Sequence, residues 1–115
     1  MSAAFHKDGV TGFIKVDGRL SHGPNLDDFR ARWTSAVAAG CKRIIIDLSA
    51  VPSIDSSGIG NLVRCKSAAE AEGGSLKIVG VRESVLHALS LTRLNAIFQF
   101  YPDESSALAS FDGDK

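Results

Sequence analysis

The sequence predicts an α/β domain built on one mixed sheet of about five strands, in the order β-β-α-β-α-β-α-β-α. Three observations carry this prediction. A turn signal splits two short apolar runs at the start of the chain, as in a hairpin. Helical and strand spacings of apolar residues then alternate to the end. The unbroken triplet Ile44-Ile45-Ile46 suggests a strand buried on both faces, as in a sheet covered by helices. Strands alternating with helices after a hairpin imply parallel pairing through right-handed crossovers.

Ala3, Ala4 and Phe5 form the first apolar run, and Lys7-Asp8-Gly9 the turn. In VTGFIKVDGRL the residues Val10, Gly12, Ile14 and Val16 keep a period of two, which reads as a strand, with Phe13 breaking the alternation and Gly12 marking a bulge. Gly23-Pro24 opens a helix, because proline suits the first helical position and Asp27 and Asp28 then lie where the helix dipole favours negative charge. Its apolar stripe is Leu26, Phe29, Trp33 and Val37, and Gly40 stops it. Residues 42–48 form the central strand, β-branched at its middle. A second helix covers 57–72 with Ile59, Leu62, Val63 and Ala69 inward, ended by Gly73-Gly74. Ile59 and Val63 are read as core rather than interface. A strand follows over 75–79, then a helix over 82–91 built on Val85, Leu86 and Leu89. A short strand is expected at 98–100, and a last helix at 102–111 with Pro102, Asp103 and Glu104 in its first turn.

Composition narrows the function classes. The chain has 115 residues, enough for one modest core, and is read as a single domain over 1–115. Its 13 basic and 13 acidic residues balance, which argues against a nucleic-acid partner needing a basic excess. No apolar run approaches the roughly 20 residues that span a bilayer. The start lacks the apolar core of a secretory signal, so no membrane insertion and a cytoplasmic location are expected. Cys41 and Cys65 form no CxxC pair, and His6, His22 and His87 are scattered, so no metal site is expected and both thiols should be free and buried or half-buried.

The stretch VPSIDSSGIG, at the carboxyl end of the central strand, concentrates a carboxylate, hydroxyls and glycines where open α/β sheets usually place sites. Its plainest role is structural. Asp55 or Ser56 would cap the following helix, and Gly58 and Gly60 would let that helix approach a strand closely. A serine hydrolase would need a G-x-S-x-G elbow, yet Ile54 stands two residues before Ser56, and His87 has no acid near it in sequence. A phosphate loop would need a lysine where Asn61-Leu62-Val63 follows Gly60. The remaining reading makes Ser56 a substrate. A hydroxyl at a helix N-terminus can receive a phosphoryl group whose charge the dipole tolerates, adding about −1.5 to −2 charges at pH 7.

Asp55-Ser56-Ser57-Gly58-Ile59-Gly60 resembles the D-S-[ST]-G-[LI]-G signature of bacterial anti-sigma factor antagonists, founding members of the STAS domain family. The likeness continues through Asp17-Gly18-Arg19-Leu20, the strand Ile44–Leu48, Gly73-Gly74-Ser75-Leu76, and the segment from Leu89 to Leu94. It implies the STAS fold, a mixed and mostly parallel sheet with helices packed mainly on one face. It further implies a non-catalytic protein without cofactor. Unphosphorylated, such a protein binds a kinase-type anti-sigma factor and so frees a sigma factor. That kinase, with ATP bound to itself, phosphorylates the serine after the aspartate, and a serine phosphatase resets it. Carried over, the acceptor is Ser56, with Ser57 as second choice, in a loop shaped by Asp55, Ser57, Gly58, Ile59 and Gly60. The partner-binding set would be Arg19, Ser21, His22, Asp55, Ser56 and Asn61, on a monomer or weak dimer. The same family also supplies stressosome-like scaffold subunits and partners of ATP-binding-cassette lipid or anion transporters, which is the alternative role. Two departures stand out. Arg19 and Ser21 replace acids common in the family, which alters charge complementarity to the usual partner. Arg93 occupies a helix-stopping glycine position, where a left-handed backbone would cost on the order of 1 kcal/mol relative to Gly.

Overall fold

The computed structural model describes residues 3–113, with side chains through Phe111. Met1, Ser2, Asp114 and Lys115, which the single-domain reading includes, lie outside the described residues. Nine strands and helices follow the expected order, with one unanticipated 3-10 turn, among the described residues: β1 (Ala3–Asp8), β2 (Thr11–Asp17), α1 (Pro24–Ala38), β3 (Arg43–Ala50), α2 (Ser56–Ala71), β4 (Ser75–Val79), α3 (Glu83–Leu91), the 3-10 turn (Leu94–Ala96), β5 (Phe100–Tyr101) and α4 (Glu104–Gly113). The five strands form one sheet in sequential order. β1 and β2 are an antiparallel hairpin, with Phe5 opposite Ile14, and the later pairings are parallel. Ile14, Ile46 and Ile78 lie in register across the three central strands.

Strand periodicity divides these side chains between two layers. Ile14, Val16, Ile44, Ile46, Leu48, Leu76 and Ile78 face a core closed by Phe29 and Trp33 of α1, Leu62 and Cys65 of α2, and Val85 and Leu89 of α3. Ile45 and Val79 point the other way, against Ala107 and Phe111 of α4. Three helices therefore cover one face and α4 the other. The two layers explain why Ile44–Ile46 is apolar without interruption. Ile59 and Val63 are half-buried and pack against the main core, as expected.

Several local expectations are corrected. The hairpin turn sits at Gly9-Val10, with Gly9 at φ 61°, and Val10 is 52% exposed rather than inward. Its carbonyl instead accepts the amides of Lys42 and Arg43 at 2.8 and 3.0 Å, joining the turn to the start of β3. Gly12 is no bulge. It is regularly paired with Lys7 and Ile44, and an added Cβ would come within 3.0 Å of the Cys41 thiol. The register irregularity of β2 lies later, between Lys15 and Asp17. Phe98 is a buried core residue ahead of β5 instead of part of it, because the 3-10 turn delays pairing until Phe100 meets Ile78. α4 begins at Glu104, where Asp103 Oδ1 accepts the Ser106 amide at 2.8 Å as a cap. Both cysteines are free and buried, as expected.

Candidate functional site

The loop between β3 and α2 is held against the segment after β2. The Leu20 amide donates to Ser53 O at 3.0 Å, the Asp55 amide donates to Leu20 O at 3.3 Å, and Leu20 and Ile54 form an isolated parallel bridge. This parallel bridge sets the backbone of Arg19 and Ser21 alongside residues 53–55, and the His22 amide donates to Asp55 Oδ2 at 3.0 Å. The preceding turn has its own clamp: the Asn25 side-chain amide donates to Asp17 O at 3.2 Å and to Arg19 O at 2.9 Å.

Asp55 is the N-cap of α2 in extended conformation, which settles the choice between Asp55 and Ser56. Its Oδ1 accepts the Gly58 amide at 2.9 Å and its Oδ2 the His22 amide at 3.0 Å. These donors, His22 first, then Gly58 and Ser57, stabilise the ionised form and hold the carboxyl below the usual aspartate range. One side chain thus starts the helix and fixes the neighbouring loop.

Gly58 is forced by packing. A Cβ there would stand 2.1 Å from Leu20 O and 2.7 Å from Ile54 Cγ1. Gly60 differs, since its added Cβ would meet nothing within 4 Å, so the close approach expected of both glycines belongs to Gly58 alone.

With Asp55 occupied as cap, Ser56 becomes the first residue of α2 and is exposed, while Ser57 is half-buried. Asn61 has an internal role. It is 4% exposed, its Oδ1 accepts the Trp33 indole N–H at 3.4 Å, and its Nδ2 donates to Ser57 O at 3.3 Å. It ties α2 to α1 beneath the serines.

Ser56 and Ser57 open into a cavity of about 290 Å³ between the N-terminal turns of α1 and α2. His22, Asp27 and Arg30 line it from the α1 side, and Gly60, Asn61 and Arg64 from α2. The sequence reading missed Asp27, Arg30 and Arg64 as site residues. Their signal was present only as spacing: Ser57, Asn61 and Arg64 recur at four and three residues, one stripe of α2. Which face of α1 meets that stripe is a matter of packing. Among the described residues, no hydrogen bond links either serine hydroxyl to a histidine; His22 contributes its backbone amide to Asp55, and His87 is exposed on α3. Also among the described residues, no group of three or more His, Cys, Asp or Glu side chains is placed to hold a metal, and no helix is long and apolar enough to cross a membrane.

Arg93 lies away from this loop, in the connection after α3, with φ 62° in the left-handed region. The position therefore keeps the backbone that glycine would favour, with an arginine in its place.

A two-layered α/β sheet with a capped hydroxyl-bearing turn at its carboxyl edge defines a class, and sequence comparison gives its family. The chain belongs to the STAS domain family, whose sequence pattern matches residues 3–107. It is 35% identical over 74 residues to a Thermotoga neapolitana protein assigned as an anti-sigma factor antagonist, a match spanning 64% of this chain and 66% of that protein. A counterpart from Thermotoga maritima is matched over 61% of its length, so the chain spans under two thirds of these two relatives. The anti-sigma F factor antagonist of Paenibacillus polymyxa is 26% identical over 108 residues, covering 93% of this chain and 91% of that one. Among solved structures, an anti-sigma factor antagonist protein from Thermotoga maritima superposes with a TM-score of 0.84 at 26% identity, covering 94% of this chain and 92% of that one. The antagonist SpoIIAA in its unphosphorylated form shares the fold, with a TM-score of 0.81 at 21% identity and 97% of each chain covered. That protein from Bacillus is also known in a phosphorylated form, with a TM-score of 0.73 at 20% identity, covering 96% of this chain and 99% of that one.

Proposed function

We propose that this chain is an anti-sigma factor antagonist: a non-catalytic cytoplasmic switch whose state is written on Ser56. The observation that carries the reading is the division of labour at the start of α2. Asp55 caps the helix, so the Ser56 hydroxyl is exposed at the first helical position and not needed by the fold. Among the described residues no histidine is hydrogen-bonded to it, which favours its reading as a substrate over a nucleophile. It remains accessible to another protein's chemistry.

In this reading the unphosphorylated chain docks through Arg19, Ser21, His22 and the Ser56 surface on a kinase-type anti-sigma factor, releasing the sigma factor. The kinase then transfers the γ-phosphoryl group of its ATP. The Ser56 Oγ–phosphorus bond forms as the bond to ADP breaks, ADP leaves, and the hydroxyl proton passes to a base on the kinase. The added charge, about −1.5 to −2 at pH 7, dissolves a docking surface built for a neutral serine. A phosphatase restores it by hydrolysis. The names of the relatives and the two phosphorylation forms of SpoIIAA support this assignment.

The test is transfer from radiolabelled ATP in the presence of a kinase-type anti-sigma factor. Wild type is expected to take up label and Ser56→Ala to lose it, while Ser56→Asp weakens the unphosphorylated complex. Label found only on Ser57, or retained by Ser56→Ala, rejects the assignment.

A further inference from the structure

The cleft beside Ser56 is lined by two arginines together with one acid, Asp27. Arg30 on α1 and Arg64 on α2 both line it, and both side chains are exposed. Among the described residues, neither guanidinium makes an ion pair or side-chain hydrogen bond. Three other arginines are engaged: Arg32 pairs with Asp28, Arg82 donates to Ser49 O, and Arg43 lies over the Phe111 ring. The Arg19 and Arg93 side chains resemble Arg30 and Arg64 in lacking such a contact but do not line the cleft. Arg64 shares the α2 stripe of Ser57 and Asn61 and lines the same cavity as both serines. Arg30 approaches from the facing helix. One first-turn amide of α2 is already used, because Asp55 takes the Gly58 amide. Asp55 also sets a negative charge next to an anion on Ser56, so the compensating cations must come from elsewhere.

We propose that Arg30 and Arg64 form an intramolecular clamp that receives the phosphoryl group carried on Ser56 and holds it in the α1–α2 cleft. The ligand is a phosphate monoester dianion, which suits the planar, forked donors of arginine. The inference rests on the reading of Ser56 as acceptor and extends it to what the phosphate does once in place. Phosphorylation then changes the docking face twice, adding an anion and withdrawing two cations from any partner.

The test is phosphorus NMR titration of the full chain with phosphoserine placed at position 56 during translation, which needs no kinase. The charged groups around the phosphate are His22, Asp27, Arg30, Asp55 and Arg64. His22→Asn is introduced in every form, so that the phosphate is followed without a neighbouring imidazole. The second phosphate ionisation, ordinarily near pH 6, should fall by about one unit in the clamped protein. Arg30→Gln/Arg64→Gln should move it back up by most of that shift. Arg32→Gln, which removes one charge from α1 outside the cleft, should leave it near the clamped value. Equal midpoints with and without the two arginines, or an equal response to Arg32→Gln, overturns the clamp. Because the phosphate is installed directly, that failure is separate from any failure of the kinase to label Ser56.

Discussion

Asp55 does at the residue scale what the surrounding loop needs, since its two oxygens join the start of α2 to the segment after β2. Its lowered pKa gives this contribution a sign. A carboxyl that ionises more readily in the folded state stabilises fully above its unfolded value of about 3.9 and loses the effect as pH falls through the lower folded value. Asp55→Ala is therefore expected to lower stability by about 1 kcal/mol at neutral pH. The difference from wild type should shrink in acid below the ordinary aspartate range, read from urea midpoints at both pH values. The two glycines make a second pair of residue-scale predictions. Gly58→Ala drives a methyl into Leu20 O and should cost about 1–3 kcal/mol. Gly60→Ala meets open space within a helix and should stabilise by up to about 1 kcal/mol, so thermal midpoints should move in opposite directions.

The elements were largely legible because their signals are local. Pro24 at the start of α1, the stripe Leu26-Phe29-Trp33 and the pair Gly73-Gly74 after α2 each act within a few residues. Legibility failed where a distant contact took over. Val10 has the side chain of a strand residue, yet its carbonyl serves the start of β3. Phe98 reads as strand by its apolar neighbours but fills the core ahead of the pairing at Phe100. The connection after α3 carries the element-scale prediction. Arg93 holds a left-handed backbone on a non-glycine residue, so Arg93→Gly should raise stability by up to about 1 kcal/mol, measured by urea denaturation. An unchanged or lower midpoint would mean that the arginine side chain stabilises this turn by as much as its backbone costs.

Over the whole molecule, the sheet is sealed by unequal layers, and their burial sets the reactivity of the thiols. Cys65, on the inner face of α2, is wholly buried, and desolvation pushes its pKa up to about 12; burial also raises Cys41, with the nearby Lys7 charge partly opposing it. Reactive thiolate is therefore scarce at neutral pH. Both cysteines should resist an aromatic disulfide reagent in the native protein and react quickly in denaturant, followed by absorbance. Rapid native labelling of Cys65 would contradict the packing of α2 on the sheet. The opposite layer holds Lys77, fully buried, with Nζ 2.6 Å from Ser110 Oγ and 4.3 Å from the centre of the Phe111 ring.

By itself the sequence determined the order of elements, the two-faced central strand and a hydroxyl-rich helix start at Asp55-Ser56, because spacing, propensity and capping act over short stretches of chain, while the structure chose Asp55 as the cap. The tertiary structure decided which face each helix covers and why Lys77 can be buried. It also decided which glycine at the turn is irreplaceable, and it placed Arg30 of α1 and Arg64 of α2 on one cleft beside Ser56. Those outcomes depend on side chains far apart in the chain meeting in space, where excluded volume and unpaired charge, rather than local preference, select the arrangement.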